Sequence, residues 1–338
     1  MISGRWLPLI CIALLLIAVA ACGPDLRGRR IITVASADTP EQLLIGQITV
    51  LTLQAEGYHV VDKTGLGSAQ AVRTAMMRGR ADICWDYTGE VWCNYLQHDE
   101  PIADPQALLA RVRAEDALNQ ISWLTMTSLS RTEGLVMRRE LAEAWQVRTL
   151  SDLSNYMNGR NPHVRLCASQ AQCAAVTGVR GLEQVYRMDF DDQLVRVGAT
   201  QDGYVSLLKG ECDCVLGLSN DTEIADNDLI LLQDDRGFFQ ASNLAPAVRT
   251  PVLSELSTLE ASLLRIGQLL DAATLAALQR QMSEEELKPS TVAREFLTER
   301  GIIGRKRSTP TLTLEPTFSV SPTLSLEPSL APTFTAQP

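Results

Sequence analysis

The chain has 338 residues, of which 46% are hydrophobic and 5% aromatic, and its formal net charge at pH 7 is −10. This length and apolar content suit two domains of ordinary size, each with its own core. The acidic balance argues against nucleic acid as a partner and favours a soluble exported protein that takes cationic solutes.

The first 22 residues have the pattern of a targeting segment. Arg5 supplies positive charge, and an almost unbroken apolar run over residues 7–21 follows it and ends in small residues. Since this run is shorter than a typical membrane-spanning helix, a cleaved signal peptide is predicted, with an uncleaved anchor helix as the alternative. Residues 19–22 are similar to a bacterial lipobox. That similarity implies a lipid on Cys22, a short tether over residues 23–30, and a protein held on the outer face of the cytoplasmic membrane or on its periplasmic side.

The next part of the chain has a β-α-β pattern. An apolar strand is predicted over Ile31–Ala35 and a second one over residues 58–62. Between them, Thr39 can cap a helix, Pro40 suits its first turn and Gly57 can end it. Strands and helices that alternate at this length predict a largely parallel sheet.

Residues 63–90 combine a turn, a helix, a short strand and a polar loop. Gly65 and Gly67 free the backbone for a tight turn, and Ser68 can cap the helix that Gly79 ends. The strand delivers polar and aromatic side chains beyond its carboxyl end, where ligands bind in open α/β sheets. An aromatic ring beside carboxylates suits an organic cation. These candidate ligand contacts are Trp85, Asp86, Tyr87, Thr88 and Glu90.

The predicted alternation of strands and helices continues to residue 300. Further strands are predicted over residues 121–126, 134–137, 164–168, 194–197, 213–216 and 229–232. Helices are predicted over residues 149–157, 181–187, 203–208, 252–282 and 290–300. We expect the chain to cross into a second lobe near residues 125–130 and to return near residues 238–246. The predicted division is lobe I at 31–126 plus 240–304, and lobe II at 127–239.

Residues 305–338 have a different composition, rich in Pro, Ser and Thr. The hexamer at residues 311–316 recurs with one Thr-to-Ser difference at residues 323–328. Because this segment has little to bury, it is predicted to be disordered. A stalk, a wall-associated tail and a dispensable extension are all compatible with it.

Six cysteines remain after Cys11 and Cys22 are assigned to the signal and the lipid anchor: Cys84, Cys93, Cys167, Cys173, Cys212 and Cys214. Disulfides are compatible with export, and we favour Cys167–Cys173 because one short loop separates them, although sequence does not fix the pairing. Buried free thiols are the alternative, for Cys84 and Cys214 especially. A zinc site is disfavoured because the two-residue spacing of a zinc knuckle is missing and the histidines are scattered.

Signatures of catalysis are incomplete throughout the chain. Residues 217–221 lack the second glycine of a nucleophile elbow, and residues 65–70 lack the third glycine of a dinucleotide fingerprint. His-Glu-x-x-His and P-loop motifs do not occur. We therefore predict two lobes that close on a solute, with no enzyme activity, no cofactor and no metal. An exported enzyme on the same scaffold is the less favoured alternative.

Several of these motifs, in this order, resemble one family. They are Ser36 followed by Glu41-Gln42, Thr64-Gly65-Leu66-Gly67, Asp86-Tyr87-Thr88-Gly89, and residues 234–239. The chain resembles the substrate-binding proteins of ABC importers for glycine betaine, choline and related quaternary amines, over roughly residues 32–303.

The resemblance implies an α/β fold of the type II periplasmic-binding-protein class. It has two lobes with mostly parallel sheets, helices on both faces and a ligand cleft between the lobes. The implied partners are ABC permease and ATPase subunits, and the implied state is a monomer.

The family holds a quaternary ammonium group in a box of tyrosines from both lobes by cation–π attraction. Tyr87 and Tyr204 match two positions of this box. Glu90 stands where a small hydroxyl residue is common. Three other box positions have lost their aromatic ring and carry Glu133, Leu218 and Ser242.

These exchanges change the chemistry that the cleft favours. Carboxylates at Glu90 and Glu133 suit a cation with N–H donors, such as a primary amine or a guanidinium compound. Alternatively, Trp85 and Trp92 can rebuild the aromatic box. Arg131 can meet a ligand carboxylate or form a surface ion pair with Glu133.

The remaining candidates come from strand ends and helix starts. Ser36 and Asp38 follow the first strand, although Asp38 is alternatively a helix cap. Tyr87 and Tyr204 are alternatively core residues. The full predicted ligand-binding set is Ser36, Asp38, Gln42, Ser68, Trp85, Tyr87, Thr88, Glu90, Arg131, Glu133, Tyr204 and Asn220.

Overall fold

The computed structural model describes residues 30–159, 163–175 and 178–304. Three predicted features lie outside the described residues: the targeting segment with its lipidated Cys22, the tether apart from Arg30, and the tail 305–338.

The strands form two separate five-stranded sheets. Their bounds in chain order are β1 Ile31–Ala35, β2 His59–Lys63, β3 Ile83–Tyr87, β4 Ile121–Trp123, β5 Glu133–Arg138, β6 Leu166–Ser169, β7 Leu194–Val197, β8 Cys214–Leu218, β9 Leu229–Leu231 and β10 Leu244–Arg249. The first sheet has the strand order β2-β1-β3-β10-β4, and the second has the order β7-β6-β8-β5-β9. Each lobe is therefore built around its own sheet.

Both sheets are mixed, and in each of them four of the five strands run in the same direction, in agreement with the predicted mostly parallel sheets. In the first sheet β1 is parallel to β2 and β3, whereas β10 is antiparallel to β3 and β4. In the second sheet β6 is parallel to β7 and β8, whereas β5 is antiparallel to β8 and β9. The antiparallel strands β5 and β10 are the first strands that the chain enters after crossing between lobes. They arrive from the other lobe and need no helical crossover within their own sheet.

The chain crosses between the lobes twice, over residues 124–132 and 232–243. The segments lie side by side, because Ser130 forms an antiparallel bridge with Asn243 and the backbone N–H of Arg131 donates to the carbonyl of Ser242 at 2.7 Å. Two adjacent strands of this kind form a hinge between the lobes.

Helices cover both faces of each sheet, as the sequence predicts. Their bounds are α1 Pro40–Ala55, α2 Ala69–Met77, α3 Pro105–Asp116, α4 Arg139–Trp145, α5 Leu150–Gly159, α6 Gln170–Ala174, α7 Val179–Tyr186, α8 Thr200–Leu208, α9 Thr222–Asp226, α10 Thr250–Glu255, α11 Leu259–Leu269, α12 Ala272–Glu284 and α13 Pro289–Glu299. Shorter helical turns are Thr88–Glu90, the π-helical Val91–Tyr95, Ala117–Asn119 and Asp191–Gln193.

The local chemistry around the first lobe's turns follows the sequence prediction closely. The Thr39 hydroxyl accepts from the backbone N–H of Gln42 at the start of α1, and Ser68 caps α2 in the same way. Gly65 and Gly67 both have positive φ angles, 75° and 99°, in the turn that precedes α2. This turn brings Ser68 and α2 beside the end of β1.

Two helix predictions near the carboxyl end need correction. The predicted helix over 252–282 is three helices, α10 to α12, because the chain leaves helical geometry at Leu256 and at Leu270. The last helix begins at Pro289 with Lys288 in the cap position, so Ser290 is not its cap. Proline at the first helical position fits, since its missing N–H has no helical partner there.

No single helix among the described residues is long and apolar enough to cross a membrane. The helices α11 and α12, bent by 77° relative to each other, reach the required length and composition only as a pair.

The cysteine pairing differs from the prediction. Cys167 forms a disulfide with Cys212, not with Cys173. Cys167 and Cys212 pack into the core on one face of the second sheet, whereas Cys173 packs against the core on the other face. A short loop therefore does not bring Cys173 to Cys167. Cys84 and Cys214 are buried free thiols, as the alternative interpretation had it.

Candidate functional site

Two neighbouring cavities lie in the crevice between the lobes. The larger has a volume of about 410 Å³ and is lined by Ala37, Asp38, Thr39, Gln42, Ser68, Ala69, Val72, Trp85, Asp86, Tyr87, Glu90 and Arg131. The smaller has a volume of about 250 Å³ and is lined by Gly89, Glu90, Cys93, Asn94, Arg131, Glu133, Leu218, Gln240 and Ser242. Glu90 and Arg131 line both, so they form the boundary between the two cavities.

Tyr87 is the last residue of β3, so it borders the larger cavity at the carboxyl end of the strand. Its side chain is only 2% exposed and also packs into the first lobe's core. The phenol donates a hydrogen bond to Glu41 Oε1 at 2.8 Å. Burial and the nearby charge of Glu41 raise the pKa of Tyr87, so its hydroxyl stays neutral and acts as a donor.

Glu41 belongs to the site although it was absent from the predicted set. It lies in the first turn of α1, and its second carboxylate oxygen accepts from Asn220 Nδ2 of the other lobe at 3.4 Å. Burial raises the pKa of Glu41, while the hydrogen bond from Tyr87 and the charge of Arg131 act in the opposite direction. The sequence does contain a signal for this role, because Glu41 lies in the first turn of the helix that follows the first strand, within a family-like motif.

Arg131 is the only basic residue among those that line the two cavities. It lies in the first crossing segment, and its guanidinium carbon is 5.7 Å from the centre of the Tyr87 ring. Its side chain is exposed. The guanidinium of Arg131 thus lies over the Tyr87 ring at cation–π distance.

Carboxylates dominate the walls of the crevice. Burial, followed by the charge of Glu90, raises the pKa of Asp86 to about 7, although the backbone N–H of Tyr87 and two arginines oppose this. Burial also raises the pKa of Glu133, and Gln172 opposes it by a hydrogen bond. Groups with raised pKa values bind protons more tightly in the folded protein and lose them when a cation enters.

The pKa of Asp86 predicts that the unliganded protein loses stability as the pH rises from about 4 to about 7. The folded state keeps the Asp86 proton up to a higher pH than the unfolded chain does. Its contribution to stability is therefore fully present below the ordinary Asp range, and it disappears as the pH rises through about 7.

The test of this pH dependence compares the free energy of unfolding of the wild type with that of Asp86→Asn across this range. We expect the wild type to lose stability relative to the variant as the pH rises. A difference that stays constant with pH contradicts the assignment.

Most of the predicted set does line the cavities. The larger cavity takes Asp38, Gln42, Ser68, Trp85 and Tyr87, the smaller takes Glu133, and both take Glu90 and Arg131. Asp38 lines the cavity and does not cap α1, since Thr39 has that role. The indole N–H of Trp85 donates to the Thr49 hydroxyl at 2.8 Å, which fixes the ring from behind.

Ser36, Thr88 and Asn220 do not line either cavity. The Ser36 hydroxyl donates to the carbonyl of Ala37 and accepts from the backbone N–H of Gly65, so it supports the turn before α2. Thr88 is fully buried, and its hydroxyl accepts from the backbone N–H of Asn243 in the second crossing segment. Asn220 contacts Glu41 across the lobes, and its Oδ1 is buried without a hydrogen-bond partner.

Tyr204 is placed away from the crevice, which corrects its assignment to the aromatic box. It is 1% exposed and packs in the core between α8 and the second sheet. Its hydroxyl donates to Asp221 Oδ2 at 2.8 Å. A Cβ at position 217 would lie 2.1 Å from the Tyr204 oxygen, so Gly217 makes room for the ring. The second lobe therefore contributes no tyrosine to either cavity.

Of the two tryptophans that were the alternative source of aromatic rings for the box, only one lines a cavity. Trp85 lines the larger cavity, whereas Trp92 stacks on His98 with ring centres 3.7 Å apart and lines neither cavity. Leu218 and Ser242 line the smaller cavity, at the positions where rings were expected. The aromatic wall thus consists of Trp85 and Tyr87, both from β3.

The lobes also touch each other outside the cavities. Arg280 of α12 forms an ion pair with Asp226 of α9 at 2.9 Å, and Glu41 meets Asn220 in the crevice. The crevice is therefore narrowed by direct contacts between the lobes. Among the described residues, no group of three or more His, Cys, Asp or Glu side chains is arranged to hold a metal ion.

Two α/β lobes, a two-stranded hinge and a narrowed crevice with aromatic and acidic walls define a solute-binding protein of the type II class. A family model described as the substrate-binding domain of ABC-type glycine betaine transport systems matches residues 30–299. The chain belongs to this family, whose members are extracytoplasmic solute-binding components of ABC importers.

Individual relatives agree with this family. A glycine-betaine-binding protein of Pseudomonas aeruginosa is 30% identical over 268 residues, which cover 78% of this chain and 86% of the relative. The Escherichia coli K12 glycine betaine-binding protein YehZ is 26% identical over 293 residues, which cover 85% of this chain and 96% of the relative. The solved structure of apo YehZ matches with a TM-score of 0.69, covering 80% of this chain and 99% of that chain.

Proposed function

We propose that the larger cavity binds a quaternary amine osmoprotectant, such as glycine betaine or choline, for delivery to a membrane permease. The observation that supports this most strongly is the Tyr87 ring at the wall of a 410 Å³ crevice that holds several carboxylates and one arginine. A trimethylammonium group has no N–H donor and prefers aromatic faces in an acidic surrounding. The names of the two glycine betaine-binding relatives support the same ligand class.

A zwitterionic betaine fits the charges of this cavity better than a simple cation does. Its ammonium group can take the place of the Arg131 guanidinium on the Tyr87 ring. Its carboxylate can then accept hydrogen bonds from the displaced guanidinium, which is a planar donor suited to carboxylates. The boundary position of Arg131 between the cavities leaves it room for this movement.

Isothermal titration of the mature chain with glycine betaine, choline, proline betaine and carnitine tests the assignment. We expect saturable binding of at least one of the four, with the zwitterions preferred over choline. Flat traces for all four, from protein with a cooperative thermal transition, remove the quaternary amine assignment.

A second candidate ligand is an amine that carries N–H donors. Its support is the pair Glu90 and Glu133 on the smaller cavity, together with the raised pKa of Glu133. Charge-assisted hydrogen bonds to two carboxylates suit a primary amine or a guanidinium group. Glu90→Gln and Glu133→Gln are each expected to weaken such binding about tenfold in titration. Affinities that both variants leave unchanged count against this ligand class.

We further propose that the mature chain is a monomeric lipoprotein anchored through Cys22, works with an ABC permease and an ATPase, and has no enzyme activity of its own. The lipobox-like residues 19–22 support the anchor, and the family supports the partners. Cys22→Ala is the direct test of the anchor. The variant should appear in the soluble exported fraction, and its continued presence in washed membranes would contradict the lipid anchor.

A further inference from the structure

We propose that one elongated solute occupies both cavities, with its quaternary ammonium end in the larger and an N–H-bearing end in the smaller. The solute class is a betaine of an amino acid whose side chain carries N–H donors, such as a guanidinium group. This inference rests on the proposed quaternary amine function and extends it to a second, separate subsite.

The first step is the size and continuity of the crevice. The cavities of about 410 and 250 Å³ share two lining residues, Glu90 and Arg131, so they are neighbours with a common boundary. Together they reach the size class of pockets that bind drug-sized ligands, about 300–1,000 Å³. A small osmolyte such as glycine betaine needs only the larger cavity.

The second step is the difference between the two sets of walls. The larger cavity presents the rings of Trp85 and Tyr87 beside the carboxylates of Asp38, Asp86 and Glu90. The smaller cavity has no aromatic residue in its lining and instead presents the polar side chains of Glu90, Asn94, Glu133, Gln240 and Ser242. Aromatic faces beside carboxylates select a quaternary ammonium group, whereas carboxylates without an aromatic wall select a group that has N–H donors. The two ends of the crevice therefore recognise different chemical groups.

The third step concerns the hydrogen-bonding capacity that these polar side chains have left for a ligand. Gln240 is fully engaged, since its amide exchanges hydrogen bonds with the backbone of Ile102 and also donates to Ala241. Glu90 accepts from Asn94 Nδ2 through one oxygen, at 2.8 Å. A carboxylate has about four acceptor positions, so Glu90 and Glu133 keep capacity for N–H donors of a ligand. Glu133, the first residue of β5, accepts from Gln172 and is the carboxylate that lines the smaller cavity alone.

The fourth step concerns Arg131, which lines both cavities at their common boundary. Arg131 forms no ion pair within 4.0 Å in the described part of the chain. Its guanidinium lies where the two cavities meet, so it can hold a carboxylate located between the two ends of a ligand. An α-carboxylate flanked by a trimethylammonium group and a donor-bearing side chain has this arrangement.

The experiment uses isothermal titration of the mature wild-type chain with three probes. These are glycine betaine, N,N,N-trimethyl-arginine and N,N,N-trimethyl-norleucine, of which the last two differ in side-chain N–H donors. We expect the arginine derivative to bind at least about tenfold more tightly than the norleucine derivative. Because this comparison uses only the wild type, it remains decisive even where a variant fails to fold.

Two variants test whether the preference for the arginine derivative arises in the smaller cavity. Glu133→Gln should reduce the preference for the arginine derivative over the norleucine derivative below about threefold. Glu143→Gln is the matched control, because it removes the same charge from an exposed position of the second lobe outside the crevice. It should leave all three affinities unchanged.

The outcomes separate the two proposals. Binding of glycine betaine with equal affinity for the two longer probes overturns the two-cavity solute and leaves the proposed function standing. The same holds if glycine betaine binds while the arginine derivative does not, or if Glu133→Gln keeps the full preference. If none of the three probes binds, the two-cavity solute is overturned, and the quaternary amine function is wrong as well if choline, proline betaine and carnitine also fail to bind.

Discussion

Replacing Tyr87 with leucine is expected to lower the affinity for a quaternary amine about a hundredfold. The change removes the ring that faces the larger cavity, and a desolvated cation–π contact contributes about 2 kcal/mol. It also removes the hydroxyl that donates to Glu41 at 2.8 Å, so a half-buried carboxylate loses a hydrogen bond next to the ligand. Titration with the tightest of the four osmolytes measures the loss.

Two further variants separate the ring from the hydroxyl. Tyr87→Phe keeps the ring and should cost about tenfold or less, because only the bond to Glu41 is lost. Tyr58→Phe is the matched control: Tyr58 is also a buried tyrosine of the first lobe, and its hydroxyl pairs with Thr258. It should not change affinity. Wild-type affinity in a folded Tyr87→Leu protein would mean that the ring does not touch the ligand.

The first lobe was largely predictable because its signals are local. The Thr39 and Ser68 caps and the glycine turn between β2 and α2 are specified by residues a few positions apart. The strand β10 was missed. Its sequence contains Pro246 between two alanines, and proline within an apolar run is typical of a loop. Only the pairing of β10 with β3 and β4 makes it a strand.

In the candidate site, too, the residues specified by local sequence were predictable and those positioned by long-range packing were not. Tyr87 ends one strand and Glu90 lies three residues later in the turn that follows it, so a single motif predicts both. Tyr204 could not be placed, because the register of a helix on its sheet decides whether its side chain enters the crevice or the core. The contact between Glu41 and Asn220 joins residues 179 positions apart, and no local pattern encodes such a distance.

Arg131 connects the hinge to the site. Its backbone is tied to Ser242 in the neighbouring crossing segment, and its side chain covers the Tyr87 ring. Any rotation of the lobes about these two segments therefore moves the guanidinium relative to the ring. A ligand that replaces the guanidinium on Tyr87 and pairs with it gains its contacts only when the lobes are close, which favours the closed state.

Replacing Arg73 with leucine is expected to destabilise the protein by about 3–5 kcal/mol. Arg73 of α2 and Asp116 of α3 form a two-pronged ion pair, and the Asp116 side chain is fully buried. Asp116 also accepts from Trp123 Nε1 at 2.7 Å and from Asn119 at 2.8 Å. Without Arg73 the carboxylate stays buried with neutral donors only, and this uncompensated charge is what costs stability.

The double variant Arg73→Leu with Asp116→Leu is the control for this mechanism. It removes both charges, so it should recover most of the lost stability, because a buried ion pair is often replaceable by apolar residues. Chemical denaturation at constant pH measures all three proteins. Equal destabilisation of the single and the double variant would show that the packing of α2 on α3, and not the unpaired charge, is decisive. Since α2 carries Ala69 and Val72 of the larger cavity, ligand affinity should fall with the single variant and return with the double one.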